Sequence, residues 1–390
     1  VVYLPDENRV QVRDLRLDVS PGIIEAEAGF YWQEGINAPG FSAKGKLAHA
    51  TMKDVLAYWP LSYETEAPNV GLEKGARFWL KRHVLEGEAE DIAFELASTP
   101  SGAGALEGDQ LWKIDFTFKD LDTYAVQTMP PVYEAVGHAF ISEETLTIDL
   151  AHAKMLDMMI GQSQIIIEKL SQKGEQLGDF TINLNGRLTQ IFEVLDRHPL
   201  KLVTKNNLPA ARVRGRANVL AHVRVPLDNE DTSSAVFDVK ATVNGAEVHD
   251  ILDGEGLRRG SLEVRLNNDR LKVDGVGYVN GVPLELSLTE ALLPVDGKPS
   301  SQLHAEGVAS IDAWQALKLP KTKYLDGLVR VKADLTGDKL NFDTIDFEAD
   351  LTGASLSVPE LAWLQPAGTP VTARGRAVFT PSKNLVGPVH

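Results

Sequence analysis

Apolar and polar residues alternate with a period of two along almost the whole of this chain, and that pattern leaves few folds open to it. Ile114, Phe116 and Phe118 are interleaved with Lys113, Asp115, Thr117 and Lys119. Leu146, Ile148 and Leu150 alternate with Thr145, Thr147 and Asp149, and Phe237, Val239, Ala241 and Val243 with Asp238, Lys240 and Thr242. The pattern persists at Ile345, Phe347, Ala349 and Leu351, separated by Asp346, Glu348 and Asp350. Successive side chains of a strand point to opposite faces, so such runs predict antiparallel sheets with one apolar and one wet face.

A phrase recurs on top of this alternation: an aliphatic residue, a spacer, a glycine, then a strand pattern. It reads Leu85-Glu86-Gly87, continuing to Ile92, Phe94 and Leu96; Val213-Arg214-Gly215, continuing to Val219, Ala221, Val223 and Val225; and Leu325-Asp326-Gly327, continuing to Val329, Val331, Ala333 and Leu335. Each copy follows a short helical pattern that stops near a proline. Repetition of one β-rich unit produces long surfaces instead of compact clefts. Boundaries near Pro60, Pro199 and Pro320 divide the chain into 1–60, 61–199, 200–320 and 321–390, the outer two being partial repeats. The expected fold is mainly β: repeated antiparallel hairpin units forming an elongated, strongly twisted and curved sheet, an open apolar groove with a few short helices.

Helical patterns are confined to Met52–Trp59, Ala76–Val84, Leu188–Arg197, Ile311–Leu317 and Glu360–Leu364, with Thr51 and Ser310 as N-caps. Asn185-Gly186, Asn244-Gly245, Asp253-Gly254, Asp274-Gly275 and Asn280-Gly281 read as hairpin turns, because both residues tolerate positive φ.

Composition excludes several function classes. The formal charge of −16 repels polyphosphate, and no extended basic stripe exists for nucleic acid. Without cysteine there is no disulfide framework, thiolate metal site or cysteine nucleophile. No apolar run approaches the ~18 residues of a membrane-spanning helix. The nine histidines show no His-x-x-x-His or carboxylate-histidine spacing, so neither a metal nor another cofactor is expected. Neither a Gly-x-Ser-x-Gly elbow nor a Walker loop occurs, and Gly275 to Gly281 reads as a hairpin and not a nucleotide loop. Asp228, Glu230 and Asp231 lack the remaining parts of a calcium loop. Arg77, Lys81 and Arg82 share a helical stretch with Phe78, Trp79 and Leu80, a pattern of core aromatics under solvated cations. Met155, Met158 and Met159 read as core filling. The chain is not expected to be an enzyme.

Four stretches carry a family resemblance. They are Gly75-Ala76-Arg77-Phe78-Trp79-Leu80 with Leu85-Glu86-Gly87; Gly186-Arg187-Leu188 entering a helix that ends Val194-Leu195-Asp196; Val213-Arg214-Gly215-Arg216-Ala217; and the Leu266 to Val273 hairpin through Asn267-Asn268-Asp269. Together they resemble the AsmA-like proteins of the YhdP type. The resemblance implies a Gram-negative envelope protein in the periplasm, held to the inner membrane by an anchor outside this sequence. It also implies a bridge-like carrier of phospholipid, with outer-membrane or periplasmic proteins as further partners.

Alternation and resemblance meet in one expectation: phospholipid acyl chains lie on an apolar β-groove between the two membranes while headgroups stay in water. The groove floor assigned from alternation is Phe94, Ile114, Phe116, Phe118, Leu146, Ile148, Leu150, Val223, Phe237, Val239, Val243, Val329, Val331, Leu335, Phe347 and Leu351. The alternative is a structural or assembly-assisting β-protein of the envelope with no lipid conduit.

Overall fold

The computed structural model describes residues 1–19, 22–36, 38–58, 81–100, 110–124, 128–170, 172, 175–197, 201–205, 212–227, 234–252, 255–293, 298–315 and 323–378. Those residues form 22 strands and four short α-helices, so the fold is mainly β, as alternation predicts. Contacts divide the chain into two compact units, 1–183 with 223–235, and 184–222 with 236–390.

The first unit holds β1 (Val2–Leu4), β2 (Arg9–Val19), β3 (Gly22–Tyr31), β4 (Gly40–Thr51), α1 (Met52–Tyr58), β5 (Val84–Ser98), β6 (Gln110–Thr123), β7 (Val132–Ser142), β8 (Thr145–Met155), β9 (Met158–Ile160) and β10 (Ser163–Glu168). From β1 to β8 each strand pairs antiparallel with the next. Beyond them β8 pairs with both β9 and β10, and β10 pairs with the start of β11 (Leu177–Arg187). This is a meander, the topology expected of short hairpin connections.

After β11 come α2 (Leu188–Leu195), α3 (Leu202–Lys205), β12 (Val213–Pro226), β13 (Val236–Leu252), β14 (Glu255–Asn267), β15 (Arg270–Val279), β16 (Val282–Ala291), β17 (Ser301–Ser310), α4 (Ile311–Gln315), β18 (Leu325–Asp338), β19 (Asn341–Asp350), β20 (Ala354–Val358), β21 (Trp363–Gln365) and β22 (Thr372–Val378). In the second unit β13 through β19 again pair in sequence, and β19 pairs with β22. The β20–β21 hairpin joins the first residues of β18.

Three connections carry the helices: α1 between β4 and β5, α2 with α3 between β11 and β12, and α4 between β17 and β18. The next strand in each case carries the recurring glycine. Gly87, Gly215 and Gly327 have φ of 156°, 137° and 121°, and each is closely approached by a later strand. A β-carbon would come within 2.9 Å of the Leu121 side chain, 3.2 Å of the Ala246 Cα or 2.8 Å of the Ala354 Cα. The phrase is therefore a close backbone approach repeated after each of these helical connections, which a side chain would disrupt.

Local chemistry explains the helix starts. Thr51 caps α1, its Oγ1 accepting from the Asp54 amide at 3.3 Å while the Asp54 carboxylate accepts from the Thr51 amide at 2.9 Å and from its hydroxyl. This is a capping box with aspartate at its third position. Ser310 caps α4 by a single bond, its hydroxyl accepting from the Ala313 amide at 3.3 Å. Residues 59, 76–80, 316 and 317 of the expected helices lie outside the described residues.

Several local expectations require correction. Val84 opens a strand instead of closing a helix. Glu360–Leu364 is not an α-helix: a single 3-10 turn, Pro359–Leu361, ends at Ala362 with φ 49°, and strand resumes at Trp363. Short α3 has no counterpart among the sequence patterns; it is tied to the end of α2 by the Thr204 amide and hydroxyl, both donating to Asp196 at 2.8 Å. Of the five turn signals, Asn280-Gly281 is a hairpin turn, with φ of 49° and 83° between β15 and β16. Asn185-Gly186 lies in β11 as it runs into α2, and Asn244-Gly245 forms an irregularity within β13. Asp274-Gly275 lies within β15, and Asp253-Gly254 falls outside the described residues. Glycine serves strand irregularities, as at Gly245, and close backbone approach, as at Gly275, as well as turns, so these dipeptides do not mark hairpins alone.

Candidate functional site: the apolar sheet faces

Residues directly opposite in an antiparallel ladder lie on the same face, so register traces each face from strand to strand. In the first unit one row runs Leu15, Ala26, Gly45, Phe94, Ile114, Ile141, Leu146 and Ile167. The adjacent row places Phe116 opposite Ala139, then Ile148, Ile165 and Phe180. A third joins Ala50, Ala89, Phe118, Gly137 and Leu150. The floor residues assigned to β5, β6 and β8 thus all share one face.

The second unit repeats the design from β13 to β22. One row runs Ala241, Val264, Val273, Leu288, Leu303, Leu335, Ile345 and Ala377. Its neighbour runs Val243, Leu262, Gly275, Leu286, Ala305, Ala333, Phe347 and Gly375. Phe237 and Val239 share the parity of Val243 on β13, as Val329 and Val331 share that of Leu335 on β18. Leu351 follows β19 and packs against the cluster under α4. Val223 alternates with exposed His222 and Arg224 on β12, on the less exposed side.

Glycines smooth these faces. An added β-carbon at Gly45 would meet the Phe94 ring at 2.6 Å, at Gly137 the Phe118 ring at 2.7 Å, and at Gly375 the Phe347 ring at 2.6 Å. Each pair is directly opposite in register, so the ring lies over bare backbone instead of standing up from the sheet. Phe116 and Phe118 meet edge to face, with ring centroids 6.5 Å apart.

In each unit the main packing among described elements is between paired strands and at the short helices. Helix α4 closes one end of the second face: buried Trp314 donates its indole N–H to the Val329 carbonyl at 2.9 Å and packs with Val282, Ala309 and Ala354. Val329, 3% exposed, belongs to this core, and Phe118 and Val243 are also buried. Away from that end the rows stay partly open at Val264, Leu288, Leu303, Leu335 and Ile345, and Phe347 is 39% exposed. Met158 is fully buried, in keeping with core filling, while Met159 is 46% exposed.

The opposite faces carry the charge, in cross-strand pairs. Lys44 meets Glu95 at 2.9 Å, and Lys119 meets Glu90 at 2.7 Å and Glu88 at 3.2 Å. Arg330 meets Glu306 at 2.9 Å, and Arg376 grips Asp346 through two nitrogens at 2.6 and 2.9 Å. These hydrogen bonds hold Glu90, Glu95, Glu306 and Asp346 below the usual carboxylate range, and raise Lys44, Lys119 and Arg376. Asp274 is lowered first by Lys272 and then by the Ser287 hydroxyl.

Strand pairing also gathers His49, Glu88 and Glu90 from β4 and β5, a grouping invisible in sequence spacing. Among the described residues it is the one cluster with ligand atoms close enough for a metal ion. The Lys119 ammonium already sits against both carboxylates, so the cluster carries its own cation. Asp228, Glu230 and Asp231 lie outside the described residues, as does Arg77.

No helix among the described residues is long and apolar enough to cross a membrane. No curated protein and no solved structure matches the chain. The model of the family described as YhdP protein matches residues 5–386, nearly the whole sequence, and the chain belongs to the YhdP family.

Proposed function

We propose that the apolar faces hold the acyl chains of phospholipid and that this chain forms part of a periplasmic path between the inner and outer membranes. Family membership suggests a role related to lipid transport. The observation that carries the finer reading is the pair of register-aligned rows from β13 to β22, apolar at every position and partly exposed at Val264, Leu288, Leu303, Leu335, Ile345 and Phe347.

Dimensions and energies agree with it. Seven inter-strand spacings of about 4.8 Å make such a row about 34 Å long, measured along the sheet. One leaflet of a bilayer core, and hence one acyl chain, is about 15 Å deep. Each methylene exposed to water costs about 0.8 kcal/mol, so two acyl chains crossing bare water would cost about 20 kcal/mol or more. A continuous apolar surface removes most of that barrier without any bond being made or broken. Charged outer faces keep the opposite side of each sheet wetted.

Native mass spectrometry of the gently purified chain tests the reading. Co-purified phospholipid, displaced by a second phospholipid, is the expected result; a lipid-free protein that takes up none from mixed micelles would leave the structural role as the better reading.

A further inference from the structure

A second surface, on the polar side of the first unit, has the features of a binding site. Gly29, Ser42 and Ala97 are directly opposite one another on β3, β4 and β5. These small residues in line leave a trough of about 470 Å³. One wall is the charge ladder Glu27, Lys44 and Glu95, continued beyond the trough by Lys113, so that alternating signs largely cancel along the row. The Lys44–Glu95 contact at 2.9 Å shows that cancellation directly.

The other wall leaves positive charge over. Arg9 leans across the trough, with Nε and Nη2 each 3.4 Å from where a Gly29 β-carbon would be. Among the described residues its buried Nε has no hydrogen-bond partner, and Arg9 makes no ion pair. A buried guanidinium N–H without an acceptor is costly, and an oxyanion is the group that satisfies it best. Arg13, which donates to Gln11 Oε1 at 3.0 Å, lines the same trough, and the Ser42 hydroxyl and Gln11 amide add neutral donors.

We propose that this trough binds a phosphate-ester group, with Arg9 as its principal contact and Arg13, Gln11 and Ser42 around it. The volume suits a small phosphorylated molecule. The site lies on the face opposite the acyl-chain floor, so it is independent of the lipid reading. The same phosphate chemistry occurs in a free metabolite and in a lipid headgroup.

The test titrates the whole chain in two arms, one with glycerol 3-phosphate and one with phosphatidylglycerol vesicles, following the Arg9 Nε–H resonance and binding heat. Saturable binding is expected in at least one arm, and the arm identifies the source. Arg9→Gln should weaken it about tenfold or more. Gly29→Ala puts a methyl on the trough floor against movable side-chain atoms, so it should keep the melting temperature and still weaken binding. Lys154→Gln, which removes a cation paired with Glu134 away from the trough, should change nothing. Absence of binding in both arms, or binding that survives Arg9→Gln unchanged, overturns the proposal.

Discussion

Placing one negative charge on the floor, and the same charge one residue away on the wet face, separates lipid carriage from folding. Leu303 on β17 lies directly between Leu288 and Leu335, whereas Gln302 lies between Thr289 and Thr336. In Leu303→Asp the carboxylate of the lipid-free protein can remain in water, because position 303 is only partly buried. Folding should lose about 1–2 kcal/mol of apolar contact. Under an acyl chain the same group must be desolvated or protonated. Protonating an aspartate at pH 7 costs about 1.36 kcal/mol for each of roughly three units above its usual pKa, which caps the penalty near 4 kcal/mol. Lipid affinity should therefore fall by about 100-fold to 1,000-fold at pH 7 and by only about tenfold at pH 5. Gln302→Glu should bind like the parent at both values. Equilibrium binding of a fluorescent phospholipid, with melts of both variants, measures this. Equal affinity in two folded variants, or a Leu303→Asp deficit indifferent to pH, would refute the reasoning.

Three further outcomes rest on the same geometry. Trp314→Phe should cost about 1 kcal/mol for the lost bond to Val329, and Trp314→Ala about 3–5 kcal/mol for the emptied core, by urea unfolding. Gly275→Ala would place a β-carbon 2.1 Å from the Ser261 carbonyl oxygen and should be much more destabilising, in the same unfolding assay, than Gly281→Ala, which meets nothing within 4 Å and carries only the strain of its φ of 83°. The lowered carboxylates Glu95, Glu306 and Asp346 contribute stability above the usual carboxylate range that is lost as pH falls through their folded values. The raised Lys44 and Arg376 lose theirs only at strongly alkaline pH, so melting temperature should be flat near neutrality and fall in acid.

Alternation made the faces legible in the sequence because a strand's period is two and every bulge here interrupts it only locally. Ile114 to Phe118 and Phe237 to Val243 needed nothing but parity. Register could not be read the same way. That Phe347 lies over Gly375, or that His49 comes beside Glu88 and Glu90, depends on which residues face each other across strands far apart in sequence. Glycine was the most ambiguous letter: Gly281 turns a hairpin, while Gly275 makes room for a neighbouring backbone. The Arg9 trough was hidden for a related reason, since Gly29, Ser42 and Ala97 are small residues that become a feature only when aligned.

A photocrosslinking scan along β16 tests the central claim most directly. A photoreactive residue replaces Leu286 and Leu288 in turn, then Ser287 and Thr289, and each variant is irradiated in the living envelope before phospholipid adducts are counted. Adducts at the leucine positions and none at the intervening ones are the predicted result. Equal labelling of both sets, or no adduct at any of these positions, would contradict the account.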